Sequence, residues 1–227
     1  MLQHPREAAR ALATVPLLRL ALAGKALEVA VGRKVLHRRP ELRAWLAGLS
    51  RAGCPVLLLF PSAASVPLDR WLAARRDGDG DLREREGVPA YCLMVLDGTW
   101  QEAKEMHAAL LPEGEDEEED GLLLHPVRLP AAGTRPPVRL RTEPAPGLVT
   151  TVQAVAEAVH VLEGDSRSAR GEGPAAGGDD GGLRAALLRP LERLARLQSA
   201  NDAALRSRLD AGASDAGVRG GRRQRPG

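Results

Sequence analysis

Tyr91-Cys-Leu-Met-Val-Leu96 is an unbroken apolar run, and Asp97-Gly98-Thr99-Trp100 follows it directly, leading into Gln-Glu-Ala-Lys-Glu-Met106. A run so short and so uniformly apolar reads as a strand buried on both faces, and the residues after it have helix composition. Asp97 to Trp100 therefore occupy a strand-to-helix turn. In open α/β sheets, ligands bind in the crevice beyond the carboxyl ends of the strands. The turn would bring a carboxylate, a glycine backbone, a hydroxyl and an indole to that crevice. A purely structural account fits the same residues. Thr99 with Glu102 three residues on forms a capping box, and an acid at Asp97 favours the helix dipole. Local physics alone does not choose between the two.

Strands and helices alternate along the rest of the chain, which predicts an α/β domain with a mostly parallel sheet flanked by helices. At 227 residues, 44% apolar and 27% charged, the chain can bury one substantial core. Helices are expected over Pro5–Leu12, Pro16–Ala23, Pro40–Leu49, Leu68–Ala74, Trp100–Leu110 and Thr151–Leu162, the last ending at Gly164. Strands are expected over Leu27–Val31, Val56–Phe60, Tyr91–Leu96, Leu122–Leu129 and Val138–Arg141. Helical periodicity resumes over Leu183–Leu209, broken at Pro190. Trp45 and Trp71 fall on helical faces rich in leucine and alanine and are assigned to the core. The domain is expected over residues 1–210, with disordered insertions at 112–121, where acids dominate, and at 165–182, rich in Gly, Ser and acids. Residues 211–227 form a basic tail carrying Arg219, Arg222, Arg223 and Arg225.

Leu96-Asp97-Gly98-Thr99-Trp100-Gln101-Glu102-Ala103-Lys104 resembles the signature of the DTW-domain family, whose defining motif is Asp-x-Thr-Trp. Other segments match in the same order. Leu2-Gln3-His4-Pro5-Arg6-Glu7 resembles the family's opening segment, and Val56-Leu-Leu-Leu-Phe-Pro-Ser62 its second strand and loop. Leu140-Arg141-Thr142-Glu143-Pro144 resembles its R-x-x-P segment, and Thr150-Thr151-Val152-Gln153-Ala154 stands where relatives read Ser-Thr-Leu-Glu-Ala. With Leu187-Leu188-Arg189-Pro190-Leu191 the likeness runs over roughly residues 2 to 205.

The resemblance implies a tRNA-uridine aminocarboxypropyltransferase. Such an enzyme moves the 3-amino-3-carboxypropyl group of S-adenosylmethionine to N3 of a tRNA uridine, expected in the D-loop, and releases methylthioadenosine. It also implies kinship with the knotted SPOUT-like class of RNA-modifying enzymes. Three carbons of the sulfonium are open to attack, so orientation decides the product. Attack by N3 is helped by a carboxylate that takes its proton, which makes Asp97 the expected base. Thr99 and Trp100 complete the expected catalytic set, and Trp100 could stack on a base or lie in the core. Ser62, Gly98, Arg141, Thr150 and Thr151 are the expected cofactor-binding residues. Arg141 would clamp a carboxylate or phosphate, and Thr150 or Thr151 would hold an anion at a helix start or act as a plain cap. Gln153 replaces an acid. A methyltransferase acting on RNA, or a non-catalytic tRNA-binding protein, are the rival readings.

The net charge of +2 hides its distribution, and His37-Arg38-Arg39 is a small basic cluster that could meet phosphates. Cys54 and Cys92 stand apart, without metal spacing, and read as buried reduced thiols. His4, His107, His125 and His160 are scattered without metal-ligand spacing, so no metal is expected. Members of this kind carry a cysteine cluster ahead of the Leu-Gln-His-Pro segment, whereas the sequence opens just before it at Met1. With no apolar run of about 18 residues and no signal-like start, the expectation is a soluble intracellular protein of cytoplasm or nucleus. Its partners would be tRNA and S-adenosylmethionine, with no membrane. Oligomeric state is not legible.

Overall fold

A computed structural model of the protein describes residues 1–10, 14–22, 27–77, 82, 87–110, 121–130, 150–169, 184–190 and 192–193. Among the described residues, six strands form one sheet: β1 Leu2–Gln3, β2 Ala30–Val31, β3 Val56–Leu59, β4 Val66–Pro67, β5 Cys92–Asp97 and β6 Leu124–Arg128. Their spatial order is β2-β1-β5-β3-β6-β4, and every described pairing is parallel. The helices are α1 Pro5–Ala8, α2 Thr14–Ala21, α3 Val35–Arg38, α4 Pro40–Arg51, α5 Leu68–Asp77, α6 Trp100–Leu110 and α7 Thr151–Ala169. An eighth, α8, covers residues 184–190.

Parallel strands wrapped by helices on both sides need apolar residues at every position. Val56, Leu57 and Leu58 are accordingly 0% exposed. Alternation along the strands then divides the core in two. Val56, Leu58, Phe60, Met94 and Leu96 join Leu36, Leu46, Ala103 and Met106 from α3, α4 and α6. Leu57, Leu59, Val95 and Val127 join Leu18, Leu68, Leu72, Val155, Leu162 and Leu187 from α2, α5, α7 and α8. Arg184 grips Glu157 with two guanidinium nitrogens, at 2.6 to 3.2 Å, and so ties α8 to α7. Both outer strands are two residues long, and Pro67 sits in β4, at the edge where a missing donor costs least.

Several expectations are corrected. Helix α7 runs through Gly164 to Ala169, into the stretch expected to be disordered. A glycine costs a helix only about 1 kcal/mol, and with none of the positive φ of a C-cap it does not stop one. Trp45 is 47% exposed rather than core, because α4 turns Leu46 and Ala47 inward instead. Trp71 is half-buried at the border of the second cluster, edge-on to His125 at 5.5 Å. Strands β1 and β4 and helix α3 were not anticipated. The strand expected at Val138–Arg141 and the 112–120 and 211–227 segments lie outside the described residues.

Candidate active site

β5 stands between β1 and β3, so the Asp97-Gly98-Thr99-Trp100 turn leaves the middle of the sheet at its carboxyl edge. Asp97 pairs in register with Gln3, and its carbonyl accepts from the His4 amide at 2.8 Å. Its carboxylate is held by side chains from β1 and α2. Gln3 Nε2 donates to Oδ2 at 2.9 Å and Thr14 Oγ1 donates to Oδ1 at 2.9 Å. Only 2% of Asp97 is exposed. A buried carboxylate needs such donors, since an unpaired one would be strongly disfavoured. Gln3 is itself buried, whereas Thr14 is half-buried, so the Oδ1 side is the one nearer solvent.

The other side of the turn is held by Glu102 and His4. Thr99 caps α6 as anticipated: the Glu102 amide donates to Thr99 Oγ1 at 3.3 Å, and the Thr99 amide donates to Glu102 Oε2 at 2.8 Å. Glu102 Oε1 lies 3.2 Å from His4 Nδ1, which also faces the Arg6 amide at 3.3 Å. Burial draws the Glu102 carboxyl upward. The Thr99 amide and hydroxyl, with His4 and Arg10, outweigh it and hold the group below its ordinary value. Gly98 suits this packing, for a Cβ there would stand 3.1 Å from Glu102 Cβ and 3.2 Å from His4 Cβ, closer than most such contacts. The close approach at Gly98 is thus to the chain's own side chains.

Trp100 is half-buried and borders the core under α6. Its ring stacks on Phe60 at 5.2 Å, Phe60 stacks on His107 at 4.5 Å, and Lys104 Nζ lies 5.4 Å from the indole centroid. Burial pushes the His107 imidazole below its ordinary value. Ser62 lies in the loop after β3, where its amide donates to Ser65 Oγ at 3.1 Å; Arg128 of β6 donates to the Ser65 carbonyl. Among the described residues, three buried polar atoms in this region have no hydrogen-bond partner: His4 Nε2, Ser62 Oγ and His107 Nε2.

The structure therefore brings Asp97, Gly98, Thr99 and Trp100 together at the strand ends, with Ser62 following the neighbouring strand. Arg141 lies outside the described residues. Thr150 caps α7, and Gln153 closes a second capping box by accepting from the Thr150 amide at 3.1 Å and hydroxyl at 3.0 Å. An amide oxygen thus does there the capping that a carboxylate would do. Thr151 is the first residue of that helix. Gln3, Thr14 and Phe60 were not singled out by sequence as site residues, nor were His4 and His107 as part of the site. For His4 a signal existed, a possible N-cap before Pro5 at the first helical position. Burial raises both thiols, Cys54 to about 11, so neither is a ready nucleophile at neutral pH. Among the described residues no group of three or more His, Cys, Asp or Glu side chains is placed to hold a metal ion. None of the described helices is long and apolar enough to cross a membrane.

The model of the DTW domain matches residues 1–199. The chain belongs to the DTW-domain family. Among its curated relatives, the Drosophila melanogaster protein named tRNA-uridine aminocarboxypropyltransferase 2 is 30% identical over 89% of this chain and 65% of its own length. Its namesake from Macaca fascicularis is 26% identical over 91% of this chain and 56% of its own length. An Arabidopsis thaliana protein named tRNA-uridine aminocarboxypropyltransferase A is 31% identical over 73% of this chain and 62% of its own length. This DTW-domain chain thus spans a little under two thirds of the curated relatives it matches. No solved structure matches it.

Proposed function

We propose that the protein is a tRNA-uridine aminocarboxypropyltransferase that moves the 3-amino-3-carboxypropyl group of S-adenosylmethionine to N3 of a uridine, in the D-loop of tRNA. The observation that carries the reading is the family motif standing on the central strand's carboxyl end, where an open parallel sheet binds its ligands. The relatives' names supply the reaction. Kinship with the knotted RNA-modifying class, and a place in cytoplasm or nucleus where tRNA is found, belong to the same reading.

When bound, S-adenosylmethionine supplies an electrophilic carbon beside a sulfonium, with a neutral thioether as leaving group. The residues present fit such a donor. Leaving a buried polar atom unsatisfied costs about 1–3 kcal/mol, so His4 Nε2 and Ser62 Oγ favour a polar ligand at the strand ends. The Trp100 indole offers a face for a flat ring. Arg141, Thr150 and Thr151 remain candidates for its carboxylate. Asp97 is the proposed proton acceptor. Its Oδ2 is fixed by Gln3, and the uridine N3–H takes the place of the Thr14 hydroxyl on Oδ1, the side nearer solvent. Gly98 and Thr99 hold the carboxylate's backbone in place through His4 and Glu102.

Purified protein incubated with unmodified tRNA and S-adenosylmethionine tests the reading by mass spectrometry of nucleosides, with methylthioadenosine and adenosylhomocysteine quantified together. Aminocarboxypropyl-uridine with methylthioadenosine is the expected result. Methylated uridine with adenosylhomocysteine would replace it with methyl transfer.

A further inference from the structure

The segment joining β2 to α4 carries the densest positive charge among the described residues. Arg33, Lys34, His37, Arg38 and Arg39 are all exposed, while Val35 and Leu36 between them are 2% and 3% exposed and anchor the segment in the core. The Arg38 amide bonds the Lys34 carbonyl at 3.1 Å and the Arg39 amide bonds that of Val35 at 2.9 Å, so Lys34, His37 and Arg38 share one side of a short helix. Among the described residues no ion pair engages these five side chains. A charge run is usually a solvated face, but this one has a place and a neighbour that a solvated face does not need. β2 runs parallel to β1, and β1 to β5, so the chain leaves β2 on the same edge as the Asp97–Trp100 turn. Two strand spacings separate them, about 10 Å. Beyond Arg39, the exposed indole of Trp45 stands six residues along, about 9 Å up α4.

We infer that Arg33, Lys34, Arg38 and Arg39, with Trp45, form the surface on which the RNA phosphate backbone docks so that the target uridine reaches the turn. This rests on the proposed function and adds where the RNA lies. Cations that neutralise phosphates give affinity and register without sequence information, and an exposed aromatic on the adjoining helix can stack any base.

Binding of an unmodified tRNA, measured at several salt concentrations, tests it with the pair R38E/R39E against the control pair R19E/R70E. The control makes the same change in net charge on α2 and α5, at exposed positions that touch neither the turn nor its supports. R38E/R39E is expected to weaken binding about tenfold or more and to flatten the dependence of log affinity on log salt by about 1.5, the loss of two phosphate contacts. Melting temperature and S-adenosylmethionine affinity stay as in the wild type, and R19E/R70E binds within about threefold of it. Trp45→Ala should weaken binding with the salt dependence kept. Unchanged tRNA binding and KM in R38E/R39E, in a wild-type protein that modifies tRNA, would overturn the docking surface and leave the activity standing. Equal losses in both pairs would do the same. A wild type that neither binds nor modifies tRNA removes the proposed function and this surface with it.

Discussion

Asp97 and Glu102 are both buried carboxylates near one turn, and their partners give them different work. Asp97 takes its two donors from side chains, one of them half-buried Thr14. Asp97→Asn keeps those contacts, since the amide oxygen can accept from Gln3 while its nitrogen donates to a rotated Thr14 hydroxyl. The variant should fold and still lose transfer by about 10² or more, as removal of a general base does. Thr14→Ala should hold kcat within a few-fold. If both variants instead lowered the melting temperature and left kcat alone, Asp97 would be an anchor and not a base. Glu102 is the anchor of the other face. Because its carboxyl is held below the ordinary value, its contribution is present above about pH 4.5 and lost as pH falls through the lower folded value. Thermal denaturation of Glu102→Gln across acidic pH should therefore be flatter than that of the wild type. Gly98→Ala forces a Cβ against Glu102 and His4, and should cost about 1–3 kcal/mol in denaturant titrations.

At the scale of elements, legibility followed length and period. α6 spans the expected Trp100–Leu110, and β3 and β5 match within a residue, because long helices and fully apolar strands write their pattern locally. β1 and β4 have two residues each, too few to display a period of two, whereas β2 is the carboxyl-terminal part of the expected Leu27–Val31. Trp45 was misread because an indole among leucines and alanines looks like core, yet only the packed helix reveals which side faces the sheet. The turn was legible and its supports were not: Gln3 and Thr14 reach Asp97 across 94 and 83 residues. Gln153 poses the reverse question, since in place of an acid it closes the capping box of α7. Gln153→Ala should cost about 1 kcal/mol of stability, read from chemical denaturation, with aminocarboxypropyl transfer retained. Lost transfer with unchanged stability would make Gln153 a substrate contact instead.

The whole molecule depends on its first residues more than their number suggests. β1 lies between β2 and β5, so Leu2 and Gln3 join the outer strand to the strand that carries the turn. Leu2 is 3% exposed in the first core, Gln3 is the partner of Asp97 Oδ2, and His4 supports Glu102. Removing residues 1–4 would take away a buried leucine worth about 2–5 kcal/mol. It would also leave Asp97 Oδ2 without its donor, a further 1–3 kcal/mol or so. The sum, at least about 3 kcal/mol, corresponds to a fall in Tm of roughly 6–12 °C for a chain of this length. Such a chain should lose transfer even below its Tm, because β2 and the basic segment after it are no longer held beside β5. Calorimetry and the nucleoside assay on the shortened protein separate the two effects: a lowered Tm with full transfer at low temperature would mean that β1 stabilises the sheet without shaping the site.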